Sequence, residues 1–134
     1  MRVLALDHGA ARCGCAVSDP TGTLATPLAA VERPDTKKGL ARVAALAEEL
    51  GAERVLVGLP LTLAGEEGEQ ARAARAFADR LERRLNVPVE LHDERLTTRL
   101  AERIGGEGET DSRAAAHLLE SWLSAARTGA GTTE

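Results

Sequence analysis

Three acidic positions stand at the ends of structural segments in this chain, and they are the residues best suited to chemistry: Asp7, the adjacent pair Asp93 and Glu94, and Asp111. Asp7 closes an otherwise apolar run that begins at Arg2. A carboxylate there is costly unless a cation or the turn amides of His8 to Ala10 compensate it. Taken singly, each acid has a simple structural explanation: a turn for Asp7, a solvated strand end for Asp93 and Glu94, a helix cap for Asp111. Taken together they form the kind of set that holds Mg²⁺ or Mn²⁺, which prefer hard oxygen ligands. Two such ions, about 3.5–4 Å apart, can hold the attacking and leaving oxygens of a phosphodiester. That chemistry asks for three or four carboxylates converging from separate elements, and no rival set stands beside this one. The serines, histidines and cysteines form no nucleophile motif, and no phosphate-binding P-loop is present. His8 adjoins Asp7 but receives no catalytic role, and His92 and His117 lie far from it in sequence. Cys13 and Cys15, two apart in an apparent strand, read as small buried residues rather than a metal or redox pair.

The elements that must position these acids follow from periodicity. Arg2–Asp7 reads as a strand buried on both faces. A second strand spans about Arg12–Ser18, and Asp19-Pro20-Thr21-Gly22 is a turn. A third runs from about Thr23 to Leu28, where Pro27 suggests an end or a sheet edge. Helical spacing covers Asp35–Leu50, stopped by Gly51, and then Gly68–Leu85, with strands at Arg54–Gly58 and Val87–Asp93. A short helix from Thr97 or Thr98 to Gly105-Gly106 and a last one from about Asp111 to Ala126 complete the chain. The order β-β-β-α-β-α-β-α-α implies an α/β fold: a five-stranded mixed sheet, a three-strand antiparallel meander plus αβ units, with helices on both faces. One domain over residues 1–127 and a disordered tail over 128–134 are expected.

Composition sets the outer limits. The chain has 134 residues, 43% of them apolar, and carries a net charge of −4. Its aromatic residues are Phe77 and Trp122, so Ala, Leu and Val must build the core. No long apolar run or signal segment is evident, which predicts a cytoplasmic protein with no membrane partner. The net charge counts against broad nonspecific nucleic-acid binding, although local patches can differ from the average. Of 17 basic residues, all but Lys37 and Lys38 are arginines, which grip phosphate with a planar fork. Arg12, Arg95, Lys37 and Lys38 are the candidate nucleic-acid contacts. The arginines of the second helix form a solvated stripe, relevant to substrate only if they share a side with the acids.

Four blocks, in order, resemble the YqgF/RuvX family. Asp7 to Asp19 follows the pattern D-x-G-x-x-R-x-G-x-A-x-S-D. Val57-Gly58-Leu59-Pro60, followed by Gly65, resembles the second block. Asp93-Glu94-Arg95-Leu96-Thr97-Thr98 matches D-E-R-x-T-T, and Asp111 with Ala114-Ala115 and Leu118-Leu119 resembles the closing D-x-x-A-A helix. The blocks span residues 1 to about 123. The resemblance implies an RNase H-like fold, a cytoplasmic nuclease, and a role in maturing the 5′ end of pre-16S rRNA. It also implies Asp7, Glu94 and Asp111 as catalytic acids, with Asp93 in reserve among the metal-ligand candidates. Strand parity alone does not choose between Asp93 and Glu94. Two positions depart from the family pattern: Gly105–Thr110 is acidic where the family is Lys-rich, and Ala11 stands where a lysine is common. Both lower the positive charge near a substrate phosphate.

The leading reading is metal-dependent hydrolysis of pre-rRNA phosphodiesters. A junction resolvase acting on branched DNA and a non-catalytic RNA-binding assembly factor are the alternatives; a monomer or homodimer is expected, and a stable symmetric dimer would favour the resolvase. An actin- or sugar-kinase-type nucleotide-binding fold also begins with D-x-G, but it needs two large domains, for which the chain is too short.

Overall fold

The computed structural model describes residues 1–62, 64–94 and 110–130, with residues 110, 111 and 127–130 described by backbone alone. Its elements are β1 (Val3–Asp7), β2 (Arg12–Ser18), β3 (Ala25–Glu32), α1 (Lys37–Glu49), β4 (Arg54–Leu59), α2 (Glu69–Arg84), β5 (Val89–Asp93) and α3 (Thr110–Ala130). The expected short helix after Thr97 falls outside the described residues. The strands form one sheet in the order β3-β2-β1-β4-β5. β1 pairs antiparallel with β2 and parallel with β4, and β4 pairs parallel with β5. The mixed five-stranded sheet expected from the sequence is therefore present.

β1 lies at the centre because its side chains are apolar on both faces: Val3, Leu4, Ala5 and Leu6 are all buried. Alternation splits the core into two layers. Leu4, Leu6, Val55 and Val57 face α1 and α2, around the fully buried Phe77. Val3, Ala5, Ala16 and Leu56 face α3, against Ala115, Leu118, Leu119 and Leu123. Phe77 is the largest fully buried side chain. Its truncation to Ala would cost about 3–5 kcal/mol.

Since β1, β4 and β5 are parallel, Asp7, Leu59 and Asp93 end at one edge of the sheet. The chain must enter α1, α2 and α3 from that same edge. At α1, Thr36 Oγ1 accepts a hydrogen bond from Gly39 N at 3.0 Å, which caps the helix. Gly39 packs so closely beneath the preceding turn that an added Cβ would stand 1.9 Å from the Arg33 carbonyl oxygen.

Two boundaries differ from expectation. β3 continues past Leu28 to Glu32. Pro27 does not end it, because β3 is an edge strand and a missing N–H is tolerated there. Between Leu28 and Val31 two residues, Ala29 and Ala30, oppose the single Gly14 of β2, and this bulge breaks the alternation that marks a strand in sequence. α3 runs to Ala130 rather than ending near Ala126. Among the described residues, no helix is long and apolar enough to cross a membrane.

Candidate active site

Asp7 and Glu94 come together at the carboxyl edge of the sheet. Asp7 follows Val3 and Ala5 in parity and so lies on the α3 face of β1. On β5, Leu91 packs with the α1/α2 layer, whereas Glu90 and His92 reach α3: Trp122 Nε1 donates to Glu90 Oε2 at 2.9 Å, and His92 Nε2 lies 3.3 Å from Ser121 Oγ. Glu94 continues this even-numbered series, and its backbone N–H donates to Leu59 O at 3.2 Å. The parity left open by the sequence is thus resolved by the neighbours. Glu94 shares Asp7's side, while Asp93, in register with Leu59, belongs to the opposite series.

Gly58 makes this meeting sterically possible. It lies on β4, between β1 and β5, and a Cβ built there would fall 2.0 Å from Glu94 Oε2. The Glu94 carboxyl occupies the volume that any other residue's side chain would fill. Burial pushes Glu94 up to about 8, aided by the charge of Asp7, a hydrogen bond to Asp7 and the charge of Asp93. At neutral pH the pair therefore shares a proton, with Glu94 donating to the Asp7 carboxylate.

Asp111 lies in the first turn of α3, and its backbone alone is described. Its neighbour Ser112 is fully buried, and Ser112 Oγ accepts from Cys15 N at 3.2 Å. Cys15 is adjacent to Gly14, the β-partner of Asp7. The start of α3 is thereby pinned to β2 beside β1, the strand that carries Asp7. Among the described residues no cluster of three or more metal-ligating side chains is present; Asp7 and Glu94 supply two. Their shared proton, in a cradle opened by a glycine, is a donor set that fits a divalent cation, because the cation's charge would replace the proton.

The other candidates fall into separate places. Arg12 opens β2 at the same edge, exposed and paired in register with Glu32. Lys37 and Lys38 are exposed in the first turn of α1, on the far side of the sheet from α3. Arg95 lies outside the described residues. The arginines of α2 do not share a side with the acids. α2 packs on the Phe77 layer, Arg75 pairs with Glu67, Arg83 with Asp79, and Arg80 donates to Asp35 O at 3.0 Å. Cys13 and Cys15 are fully buried, as expected. His8, given no role from sequence, points into the α1/α2 layer. It stacks near Phe77 with ring centroids 4.8 Å apart, and its Nε2 lies 2.9 Å from Asp35 Oδ1.

Two features escaped sequence reasoning, the Ser112 anchor and the His8–Asp35 contact. A serine directly after the helix-opening acid was the available signal for the first. For the second there was none, since the partners are joined only by tertiary packing.

The family model RuvX, described as Holliday junction resolvase, matches residues 1–125. The chain belongs to this family. A relative from Mycobacterium tuberculosis, named "Putative pre-16S rRNA nuclease", is 46% identical over 91% of this chain and 78% of its own length. One of the same name from Anaeromyxobacter sp. is 44% identical over 92% of this chain and 96% of its own. Membership makes the RuvX chain a nuclease-family hydrolase, as its motifs implied. Among solved structures it is similar to Thermus thermophilus RuvC, with a TM-score of 0.63 at 18% identity, covering 96% of this chain and 97% of that one. That likeness establishes the RNase H-like fold.

Proposed function

We propose that this RuvX chain is a divalent-metal-dependent nuclease that hydrolyses RNA phosphodiesters in 5′-end processing of pre-16S rRNA, in the cytoplasm. The observation that carries the reading is the Asp7–Glu94 pair held across Gly58. Burial and mutual repulsion disfavour ionising both carboxyl groups, and a divalent cation between them would offset that cost in place of the shared proton. Asp7 and Glu94 would hold Mg²⁺ or Mn²⁺, with Asp111 completing the set from α3; Asp93, proposed from the sequence as a metal ligand, belongs to the opposite side of β5 and is left out of the set. A bound divalent ion would supply charge stabilisation at the scissile phosphodiester. The chain's own contribution is to fix the carboxylates in place through β1, β5 and Gly58, and to bind the substrate backbone beside them through Arg12 and Arg95; Lys37 and Lys38, on the other face of the sheet, lie outside this site. The relatives named for pre-16S rRNA support the choice of substrate.

The test is cleavage of a 5′-extended pre-16S rRNA fragment with Mg²⁺ or Mn²⁺, by wild type and by Asp7→Asn. Wild type should cleave and the variant should not, with its fold retained by circular dichroism. Equal cleavage by both would remove Asp7 from the mechanism.

One second reading has a specific observation behind it. The RuvC protein of similar fold has been seen in complex with a Holliday junction substrate. A four-way DNA junction run in the same assay separates the readings. Preferential junction cutting by a stable symmetric dimer would favour the resolvase. A clean titration showing no divalent-metal binding would instead favour a non-catalytic RNA-binding factor.

A further inference from the structure

Between the edge strand β3 and helix α1 runs a groove of about 1020 Å³, at the upper end of the range of small-molecule clefts. Its floor is aliphatic, from Leu28 and Val31 of β3 and Leu46 and Leu50 at the far end of α1. Its rim carries Arg33, Lys38 and Arg42, all exposed, against Glu32 as the one carboxylate among the described lining residues. Arg42 also pairs with Glu49 at 3.8 Å, so the rim sets three cations against two carboxylates in a chain whose net charge is −4.

We propose that this groove is a binding subsite for single-stranded polynucleotide, an extension of the substrate path. The proposal rests on the nuclease reading of the acid pair and adds a second, separate contact region to it. Charge complementarity names the occupant, because a polyanion can engage Arg33 and Lys38 together and compete with Glu49 for Arg42. The aliphatic floor suits the exposed base faces of a single strand better than a duplex, whose bases are stacked inward. The groove opens on the α1 face, opposite the acid pair, and approaches it at the carboxyl ends of the strands. Arg33 N donates to Ala11 O at 2.9 Å, so the mouth of the groove is tied to the turn that follows Asp7. β3 lies two strands from β1, about 10 Å across the sheet.

An independent observation concerns Arg33 itself. Its backbone has φ 48, the left-handed region that glycine adopts freely and an arginine does not. The strain is held by the Arg33 N–H bond to Ala11 and by Thr36, whose N and Oγ1 both donate to Arg33 O, at 3.2 and 2.7 Å. Glycine would serve the turn with less strain, so the left-handed backbone does not itself call for the arginine side chain.

The test is fluorescence anisotropy with a labelled 12-nucleotide single-stranded RNA in EDTA, where no cleavage occurs. Arg33→Gly and Arg42→Ala should each weaken binding roughly tenfold near 0.1 M salt and lower the salt slope by about 1. Glu32→Gln should tighten it. Arg33→Gly should melt at or above the wild-type temperature, which separates lost contact from lost fold. If wild type binds and cleaves RNA while these variants bind as it does, the groove proposal fails and the nuclease reading stands. If wild type neither binds nor cleaves, the nuclease reading fails. Tighter binding of an oligo-glutamate peptide than of the RNA would overturn the assignment of the occupant.

Discussion

The carboxyl group of Glu94 hydrogen-bonds to that of Asp7 in space that exists only because residue 58 has no side chain. Asp7 is central, at the end of the innermost strand, and Glu94 arrives from beyond the edge strand two positions away. Replacing either acid by its amide keeps size and removes charge. Asp7→Asn and Glu94→Gln should each lower kcat by about 10²-fold or more and abolish Mn²⁺ binding by calorimetry. Thermal melting should show both folded.

Gly58→Ala is a sharper test of the same relationship. The new methyl would meet the far end of a flexible side chain rather than backbone, so Glu94 can swing away while the strand stays in place. The expected result is a folded protein with metal affinity and activity reduced about as far as in Glu94→Gln, read by calorimetry and cleavage assay.

Stability of the metal-free protein should depend on pH through Glu94. Its folded pKa, about 8, lies above the ordinary value of 4.5. A raised pKa contributes stability that is fully present below the unfolded value and is lost as pH rises through the folded one. His92 works in the opposite sense, because burial lowers its pKa; its effect is complete above about pH 6.5. Between pH 6.5 and 8.5 in EDTA, wild type should therefore lose stability relative to Glu94→Gln. At its steepest the loss approaches about 1.4 kcal/mol per pH unit, or a few degrees in Tm. Millimolar Mg²⁺ should abolish the decline. Parallel Tm profiles for the two proteins in EDTA would contradict it.

Ser112→Ala removes the acceptor that Cys15 N uses to hold the start of α3. Leaving that buried N–H unpaired should cost about 1–3 kcal/mol in urea denaturation. Because Asp111 is the adjacent residue, activity should fall further than stability alone accounts for. Ser112→Thr should restore the hydroxyl and recover part of the activity.

Much of this arrangement could be read from the chain. The buried run of β1 ended by Asp7, the helical spacing in α1 and α2, and the order of the acids through the sequence led to the mixed sheet and to the candidate site. What stayed hidden depends on register and on tertiary contacts. Adjacent Asp93 and Glu94 look equivalent until the Trp122–Glu90 and Ser121–His92 contacts fix which side of β5 faces α3. β3 looked shorter than it is because Ala29 and Ala30 sit in a bulge that interrupts strand alternation. The left-handed backbone of Arg33 has no signature, since arginine is a poor residue for it. The arginines of α2 were conspicuous in sequence, yet they pack on the layer away from the acids and pair largely with their own neighbours.

The most direct measurement is a crystal structure of the protein soaked in Mn²⁺ at pH 7.5, with anomalous scattering to locate the ion. The expected result is an anomalous peak about 2.1–2.3 Å from carboxylate oxygens of both Asp7 and Glu94, with Asp111 turned toward it. An empty map, with the two carboxyl groups still bonded to each other at saturating Mn²⁺, would contradict a metal-dependent nuclease built on this pair.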